Sequence, residues 1–436
     1  MTKMKNSGVE WIGEIPEDWE IVKAKNIFKQ RTTKGNTVEV QLAATQANGM
    51  YPQHLLEGVV KVREETNLQD FKTVHKNDYV ISLRSFQGGF EKSEYEGVCS
   101  PAYQVFYNTK PIEHNYFWKL FKSDGFITKM NSLTVGIREG KNIQYFDFAN
   151  SFIPLPPKQT QQRIASYLDK KCNKIEETIQ NQQQVIEKLK AYKQSLITEA
   201  VTGKIKIQNG KACGKYENYK DSKLKWLGDF KIPEKWSNIQ VKSFVSIPVV
   251  DGPHESPELF DNGIPYISAT AIENSKIDFS LKRGFISEKY CDECDKRYKP
   301  MRDDILMIKL GATTGQVAIV ETDERFNIWV PLAAIRCNKN IALPKFIFYS
   351  FQSDYCLKQM EMSWTFGTQQ TLGVSSIERL KIFLPNIETQ KSITHFLDKK
   401  CTAIDTAIEQ KQNLIEKLTE YKKSLIYECV TGKKEW

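Results

Sequence analysis

The chain has 436 residues, of which 40% are hydrophobic and 26% are charged, an ordinary balance for a protein with buried cores. At roughly 100–200 residues per domain, this length predicts two or three domains. No apolar run approaches the roughly 18 residues of a membrane span. The N-terminus also lacks an apolar stretch suited to a signal peptide, so a cytoplasmic location is expected.

The charge balance is basic, with 62 Lys and Arg against 53 Asp and Glu and a net charge of +9. This excess favours a polyanionic partner but does not establish one. The nine cysteines are scattered, and their pattern indicates reduced thiols. Cys291 and Cys294 lack two further ligands at zinc spacing, so no metal site is predicted. The turn GATTGQ at 311–316 lacks the lysine of a phosphate-binding loop, and no catalytic residues are predicted.

The first variable stretch, residues 19–155, alternates short apolar runs with Gly, Asn, Asp and Pro turns, and short helical pieces interrupt it. This pattern is typical of a mixed α/β domain. Its turns carry side chains suited to base edges, because Arg and Lys pair with guanine and Asn and Gln with adenine in the major groove. The candidate DNA-binding residues here are Gln46, Asn48, Arg84, Ser85, Gln87, Arg138, Lys141 and Asn142.

A helical segment follows at 168–204, behind Pro156 and Pro157. Apolar residues recur at alternating spacings of three and four from Ile164 to Leu196, with polar Gln182 and Lys193 in the gaps. This heptad seam predicts a helix of about 36 residues, roughly 50 Å long, that Gly203 ends.

The second variable stretch, residues 236–385, has the same character. Asp78 and Asp304 each begin an apolar run that leads through a basic residue, Arg84 or Lys309, into a glycine turn. Polar residues clustered at such equivalent turns are stronger candidates than single loop residues, which are usually solvated. The candidates here are Ser268, Thr270, Lys309, Thr313, Thr314, Gln316, Thr368, Gln369 and Gln370.

Residues 397–433 repeat 168–204 at a constant offset of 229, with more than half of the positions identical. Polar residues interrupt both seams at the same places, as registry devices in coiled coils do. We expect an intramolecular antiparallel pair with a pseudo-two-fold axis, while a helix lying on its own domain stays the alternative. Outward positions shared by both copies are candidate partner contacts, against the alternative of a solvated helix face. They are Glu187, Lys188, Tyr192, Glu199, Glu416, Lys417, Tyr421 and Glu428.

The opening WIGEIPEDW, the lead-in FIPLPPKQTQQRIASYLDKK, the VTGK helix ends and the duplicated layout resemble the specificity subunits of type I restriction–modification systems. The resemblance implies a subunit without its own chemistry or cofactor, whose two target-recognition domains each bind half of an asymmetric bipartite DNA site. It also implies docking of two adenine methyltransferase subunits, which use S-adenosylmethionine, and of restriction/translocase subunits. Two near-identical helical segments would offer two docking surfaces.

These features predict four parts: target-recognition domains at 1–158 and 205–387, a central helix at 159–204 and a C-terminal helix at 388–433. A helix of this length would place the half-sites about 10–13 base pairs apart, near one turn of DNA. The alternative function is a coiled-coil scaffold that binds proteins and not DNA. That function accounts for the helices but leaves the polar glycine turns in both halves unexplained.

Overall fold

The computed structural model describes residues 3–34, 40–46, 48–56, 68–83, 89–133, 143–367 and 369–435. The chain divides into two compact units: unit 1 holds Met1–Gln183 and Gln412–Trp436, and unit 2 holds Gln184–Lys411. Two long helices each contribute one half to each unit. The units therefore cut across both helices, and the predicted four-part division stays a prediction. Among the described residues, no helix combines the length and apolar character needed to cross a membrane.

Unit 1 is built from short strands and three short helices. Its strands are β1 (Met4–Asn6), β2 (Glu14–Pro16), β3 (Glu20–Lys23), β4 (Phe28–Arg31), β5 (Leu42–Thr45), β6 (Gly49–Pro52), β7 (Lys72–Val74), β8 (Tyr79–Ile81), β9 (Phe90–Lys92), β10 (Gly97–Cys99), β11 (Gln104–Asn108) and β12 (Phe152–Leu155). Its helices are α1 (His114–Phe121), α2 (Asp124–Ser132), α3 (Tyr145–Asn150), the first part of α4 (Lys158–Val201) and the last part of α9 (Ile387–Val430).

Unit 2 begins within α4 and ends within the last helix. Its strands are β13 (Ile207–Gln208), β14 (Lys211–Ala212), β15 (Tyr219–Asp221), β16 (Lys231–Pro233), β17 (Ser237–Gln240), β18 (Val250–Asp251), β19 (Ile264–Ile267), β20 (Ile272–Glu273), β21 (Lys276–Ile277), β22 (Gly284–Ile286), β23 (Ile305–Ile308), β24 (Val317–Ile319), β25 (Asn327–Ile328), β26 (Leu332–Ile335), β27 (Thr365–Phe366), β28 (Gln370–Thr371) and β29 (Lys381–Leu384). Its helices are α5 (Glu288–Arg297), α6 (Pro344–Gln352), α7 (Asp354–Met362), α8 (Val374–Arg379) and the first part of α9 (Ile387–Val430).

Each unit contains a four-stranded antiparallel sheet with the same topology, in the order β4-β11-β8-β9 in unit 1 and β18-β26-β23-β24 in unit 2. A buried aspartate stands before the third strand of each. Arg31 holds Asp78 through two hydrogen bonds of 2.7 and 3.0 Å, and Arg336 holds Asp304 through two of 2.7 Å. The acidic residues that open the two matching runs therefore have one structural role.

Both long helices have 44 residues, more than the 36 or so of the repeated segment, because they begin at Lys158 and Ile387, ahead of Leu168 and Leu397 where that segment begins. Gln161 and Gln390, at equivalent positions, are buried and donate to the carbonyl oxygens of Pro156 and Pro385 at 2.8 Å. At the other ends, Gly203 and Gly432 have φ of +72° and +75°, as predicted for glycine stops.

The two helices run antiparallel. In unit 2, Lys193 of α4 pairs with Asp405 of α9 at 2.7 Å, and in unit 1, Lys422 of α9 pairs with Glu176 of α4. A step of 17 residues forward along α4, from 176 to 193, matches a step of 17 backward along α9, from 422 to 405. The polar gaps at Lys193 and Lys422 are thus interhelical contacts, and the prediction of a mixed α/β fold with two long antiparallel helices is confirmed.

Apolar seam residues of the helices complete the core of each unit. In unit 1, Ile164 and Leu168 of α4 are buried with Leu425 and Val430 of α9. In unit 2, α4 contributes Leu196 and its neighbours to a core that also contains the first half of the α9 seam; these residues are Ile197, Ala200, Val201, Ile393, Leu397, Cys401 and Ile404. Each helix is therefore an integral part of two separate cores.

Candidate nucleic-acid interface

The clearest cluster of predicted DNA-binding residues lies in unit 2, where the turn after β23 meets the β27–β28 hairpin. Gly311 donates its backbone N–H to Gln370 O at 3.0 Å. Thr314 is buried, and its hydroxyl donates to Gly311 O at 2.7 Å. These bonds fix a turn in which Gly311 and Gly315 take φ of +101° and +97°, a region that favours glycine.

The same turn leaves amide and hydroxyl side chains on its outer surface. Thr313, Gln316 and Gln369 are exposed, and Gln370 is half-buried. The structure therefore brings together residues that are 53 positions apart, from 316 to 369, which sequence reasoning had proposed separately. Their side chains can donate to and accept from base edges, as amides do in paired contacts with adenine. Thr314 is buried and stabilises the turn through its hydrogen bond to Gly311.

Lys309 has a different environment from its neighbours in this turn. Its ammonium lies 2.9 Å from Asp251 Oδ2 and its side chain is 10% exposed. Arg297 contacts the other carboxylate oxygen at 2.6 Å, and His254 lies 3.3 Å from Oδ2. Burial alone would raise the pKa of Asp251, but the hydrogen bond and charge of Lys309, with the charges of Arg297 and His254, lower it overall. Lys309 thus holds the end of β18 and does not extend into solvent.

Ser268 and Thr270 belong to another part of unit 2, at the end of β19 in the three-stranded sheet β22-β19-β25. Ser268 is 7% exposed, whereas Thr270 is exposed and its hydroxyl donates to Leu281 O at 3.4 Å. Of these two, only Thr270 presents its side chain to solvent.

In unit 1, Gln46 and Asn48 occupy the tip of the β5–β6 hairpin, and both are exposed. Asn48 N donates to Thr45 Oγ1 at 3.0 Å, and that hydroxyl donates to Gly49 O at 3.0 Å. Gly49 has φ of +68°, and a Cβ there would collide with the backbone oxygen of Lys92 in β9. The hairpin tip is therefore held against the edge of the four-stranded sheet. The remaining candidates lie outside the described residues: Arg84, Ser85, Gln87, Arg138, Lys141, Asn142 and Thr368.

Arg283 was not singled out from the sequence, and it lies partly buried against an aromatic ring. Its guanidinium carbon lies 3.3 Å from the centroid of the Trp329 ring, and one guanidinium nitrogen, Nη1, is buried without a hydrogen-bond partner among the described residues. Stacking of this kind restricts an arginine to few orientations. The two residues are 46 positions apart, from 283 to 329, so no local sequence signal could have joined them.

The predicted partner-binding residues show matching exposure in the two long helices. Glu187, Lys188, Glu416 and Lys417 are all exposed. Tyr192 and Tyr421, which are equivalent under the offset of 229, keep 55% and 49% of their surface.

Glu199 and Glu428 are less accessible than the other members of this set. Each is partly buried and accepts a hydrogen bond from a serine one turn earlier, Ser195 at 3.4 Å and Ser424 at 2.8 Å. An exposed tyrosine flanked by Glu and Lys therefore marks the same face on each of the two long helices.

All nine cysteines lie within the described residues and are free thiols, and only Cys213 is exposed. Burial raises the pKa of Cys99 and of Cys337 to about 12, which keeps both protonated at neutral pH. Cys291 and Cys294 are buried on α5. In the described part of the chain, no group of three or more His, Cys, Asp and Glu side chains is arranged to hold a metal ion.

Comparison with known proteins assigns this architecture. The family model described as type I restriction modification DNA specificity domain matches residues 16–188 and 233–418. The chain is 24% identical over 433 residues to the MjaVIII type I restriction enzyme specificity subunit of Methanocaldococcus jannaschii, covering 96% of this chain and 93% of that one. It is also 24% identical over 313 residues to the EcoBI specificity subunit of Escherichia coli, covering 71% of this chain and 63% of the relative.

Solved structures show the same fold at low sequence identity. A chain from work on complex assembly and conformational transition of the type I R-M system superimposes with a TM-score of 0.69 at 14% identity, covering 96% of this chain and 99% of that one. The HsdS subunit from Thermoanaerobacter tengcongensis gives 0.51 at 14% identity, covering 96% and 98%. Both predictions drawn from the resemblance, the family and the absence of intrinsic catalysis, are confirmed by these relatives. The chain belongs to the family of type I restriction–modification DNA specificity subunits.

Proposed function

We propose that this subunit binds an asymmetric, bipartite duplex site, with unit 1 contacting one half and unit 2 the other. The observation that carries the proposal is the repeated sheet: each unit has the same four-stranded topology with exposed polar side chains on a glycine-containing turn beside it. Two binding surfaces that lie beside the same kind of sheet and carry different side chains are what an asymmetric two-part site requires.

Within unit 2, we assign base contacts to Thr313, Gln316, Gln369 and Gln370, because three of these are exposed and the turn that carries the first two is hydrogen-bonded to the hairpin that carries the last two. Lys309 has a positioning role in this assignment, since its ammonium is committed to Asp251. For unit 1 the hairpin tip with Gln46 and Asn48 is the described part of the surface, and both side chains are amides that suit adenine.

The repeated helical face is the proposed docking surface for two adenine methyltransferase subunits. Tyr192 and Tyr421 supply exposed aromatic area, the kind of side chain that anchors protein interfaces. S-adenosylmethionine would belong to those subunits, which extract the target base from the duplex. Restriction/translocase subunits would join the same assembly, located in the cytoplasm.

Single-molecule sequencing of genomic DNA from cells with and without this gene tests the proposal by scoring methylated adenines. We expect a two-part motif with a fixed spacer that disappears on deletion. No change in any motif, with methyltransferase subunits shown to be expressed, would favour a protein-binding scaffold instead.

The same sequencing assay tests the helices as a spacer ruler. Removing one heptad from the middle of both α4 and α9 shortens each by about 10 Å, or roughly three base pairs of duplex. The methylated motif should then have a correspondingly shorter spacer, and an unchanged spacer would contradict the ruler. Removal of a heptad keeps the apolar seam in phase, whereas removal of four residues shifts it. The four-residue deletion is therefore the control that should disturb the packing of the helices.

A further inference from the structure

Residues 204–242, which connect α4 to the body of unit 2, concentrate the charge of the whole chain. They contain ten lysines and four acidic residues, a net charge of +6, when all 436 residues carry +9. Nine of the ten lysines are exposed, and Lys206 is partly buried. The structure describes every residue of this segment, and none of its ten lysines forms an ion pair with a described residue. We call residues 204–242 the lysine segment.

The lysine segment is a folded piece and not a flexible tail. Strands β15 and β16 pair within it, and Tyr219 donates its hydroxyl to Gly203 O at 3.1 Å. Trp236 is buried in the core of unit 2, and the Lys204 ammonium lies 5.2 Å from the Phe230 ring centroid. The lysines are therefore presented from a fixed backbone.

Unit 1 contains the structural equivalent of this segment, which shows what the scaffold itself needs. Strands β1 and β2 pair in the same register as β15 and β16, with Met4 opposite Pro16 and Tyr219 opposite Pro233. The equivalent residues, 433–436 and 1–25, contain six lysines and six acidic residues and carry no net charge. The fold can thus be built without the excess of lysine.

The excess arises in part from charge reversals at exposed, matching positions. Glu10, which precedes Trp11, corresponds to Lys225 before Trp226, and Asp18 before Trp19 corresponds to Lys235 before Trp236. In the strand pair, Glu14 opposes Asn6 where Lys231 opposes Asp221. All seven of these charged side chains are exposed, so packing does not dictate their sign.

A fourth position adds backbone evidence. Gly8 has φ of +69°, and its counterpart Lys223 has φ of +57°. A side chain disfavours this left-handed region, which glycine enters freely. Unit 2 keeps a lysine there although the fold would accept glycine. A role for the charge itself accounts for this choice.

We propose that the lysine segment binds the phosphate backbone of the duplex, so that the half-site bound by unit 2 carries more of the sequence-independent affinity than the half-site bound by unit 1. The proposal rests on the proposed function. Duplex DNA presents one negative charge per roughly 1.7 Å of axis, which suits a concentration of exposed ammonium groups that form no ion pairs. Contacts of this kind position a protein on DNA and carry no base information.

The test measures how the dissociation constant of the full chain depends on salt. The probe is a random-sequence duplex of about 40 base pairs, roughly four turns. The triple variant Lys225→Gln, Lys231→Gln, Lys235→Gln should lower the slope of log affinity against log salt by up to about 2.7, at about 0.9 per phosphate contact. The variant Lys225→Arg, Lys231→Arg, Lys235→Arg keeps the charge and should keep the slope. Thermal unfolding of both variants checks that the fold is retained.

The outcomes separate this proposal from the one on which it rests. If the wild-type chain binds the duplex and the glutamine variant has the same slope, the lysine segment does not contact phosphate, while the proposed function stands. If the slope is unchanged but the glutamine variant no longer associates with the methyltransferase subunits, the segment binds an acidic protein surface instead. A wild-type chain that binds no duplex even at low salt would contradict the proposed function itself.

Discussion

The two units bury the ends of the long helices with opposite pairings of large and small side chains. In unit 1, Tyr427 of α9 packs against Gly125 of α2, where a Cβ would lie only 2.6 Å from the tyrosine ring. In unit 2 the equivalent helix residue is Thr198, whose hydroxyl accepts from Asp354 N at 2.9 Å. The residue that corresponds to Gly125 is Tyr355, which stacks on Phe383 at 4.6 Å.

Near-identical helices are therefore not interchangeable in how they pack against their domains. The motif FKSD before Gly125 matches FQSD before Tyr355, and VTGK ends both helices, so most of the junction is shared. The two junctions nevertheless differ in which side carries the tyrosine, which is on the helix in unit 1 and on the domain in unit 2. Because protein interiors are closely packed, a change on one side of such a junction requires a matching change on the other.

The buried aspartate tests what the units share, and it should give the largest effect. Asp78→Asn or Asp304→Asn leaves Arg31 or Arg336 without its carboxylate partner at a buried site. Breaking such a pair costs about 3–5 kcal/mol of the free energy of unfolding. Denaturant unfolding should show comparable losses for the two variants. Asp323→Asn, which breaks the exposed pair with Arg302, is the control and should produce no measurable loss. A loss of unfolding free energy in only one of the two variants would mean that the two aspartates are not equivalent.

Glu91 tests where the units differ electrostatically. It occupies β9 opposite Val80, and unit 2 has the apolar Ala318 at the matching register position opposite Leu306. Burial raises the pKa of Glu91 to about 7, although the charge and hydrogen bond of Lys122 oppose the rise. The folded state therefore holds this proton more tightly than the unfolded state, and stability falls as the pH rises from about 4.5 through 7.

Glu91→Gln should remove this pH dependence. The change of pKa from 4.5 to about 7 corresponds to on the order of 3 kcal/mol, which the wild type loses across that range and the variant does not. Thermal unfolding at several pH values between 4.5 and 8 measures the difference. Ala318→Gly, at the matching site of unit 2, should leave the shape of the pH profile unchanged. Parallel profiles for the wild type and Glu91→Gln would mean that Glu91 stays ionised in the fold.

The exchanged tyrosine gives the smallest of the three effects. Gly125→Tyr places a ring where Tyr427 already lies, and overpacking of this kind costs about 1–3 kcal/mol. The double variant Gly125→Tyr, Tyr427→Thr recreates the pairing of unit 2 and should recover part of the loss. A double-mutant cycle in denaturant measures the coupling between the two positions. Additive losses would show that the two junctions are not matched by volume.

The sequence predicted the parts of the fold that repeat, because the offset of 229 and the heptad spacing are visible in one dimension. It predicted the antiparallel helices and the glycine ends, although the heptad spacing alone indicated about 36 residues where the helices have 44. The turn at 311–316 and the pair Gln369 and Gln370 were predicted only as separate candidates. The sequence could not join them, because the hydrogen bond from Gly311 to Gln370 links segments that are distant along the chain.

The charges were the least predictable part of the candidate site. From the sequence, Lys309 and its neighbours look like an exposed turn with a free positive charge. In the structure, the ammonium of Lys309 pairs with Asp251, which lies 58 residues earlier in the chain. Conversely, the lysine segment has no long run of like charge and was passed over. Only the alignment of β15–β16 with β1–β2 reveals its reversals, since the two segments differ in length by insertions. Burial and pairing of charges depend on tertiary structure.

The near-identity of 168–204 and 397–433 has a genetic consequence. An unequal exchange between the two repeats would change which helix end follows which domain. The helix end with Tyr427 packs against Gly125, and the helix end with Thr198 accepts a hydrogen bond from Asp354, next to Tyr355. Such an exchange would therefore alter a domain junction even where the repeats themselves are identical.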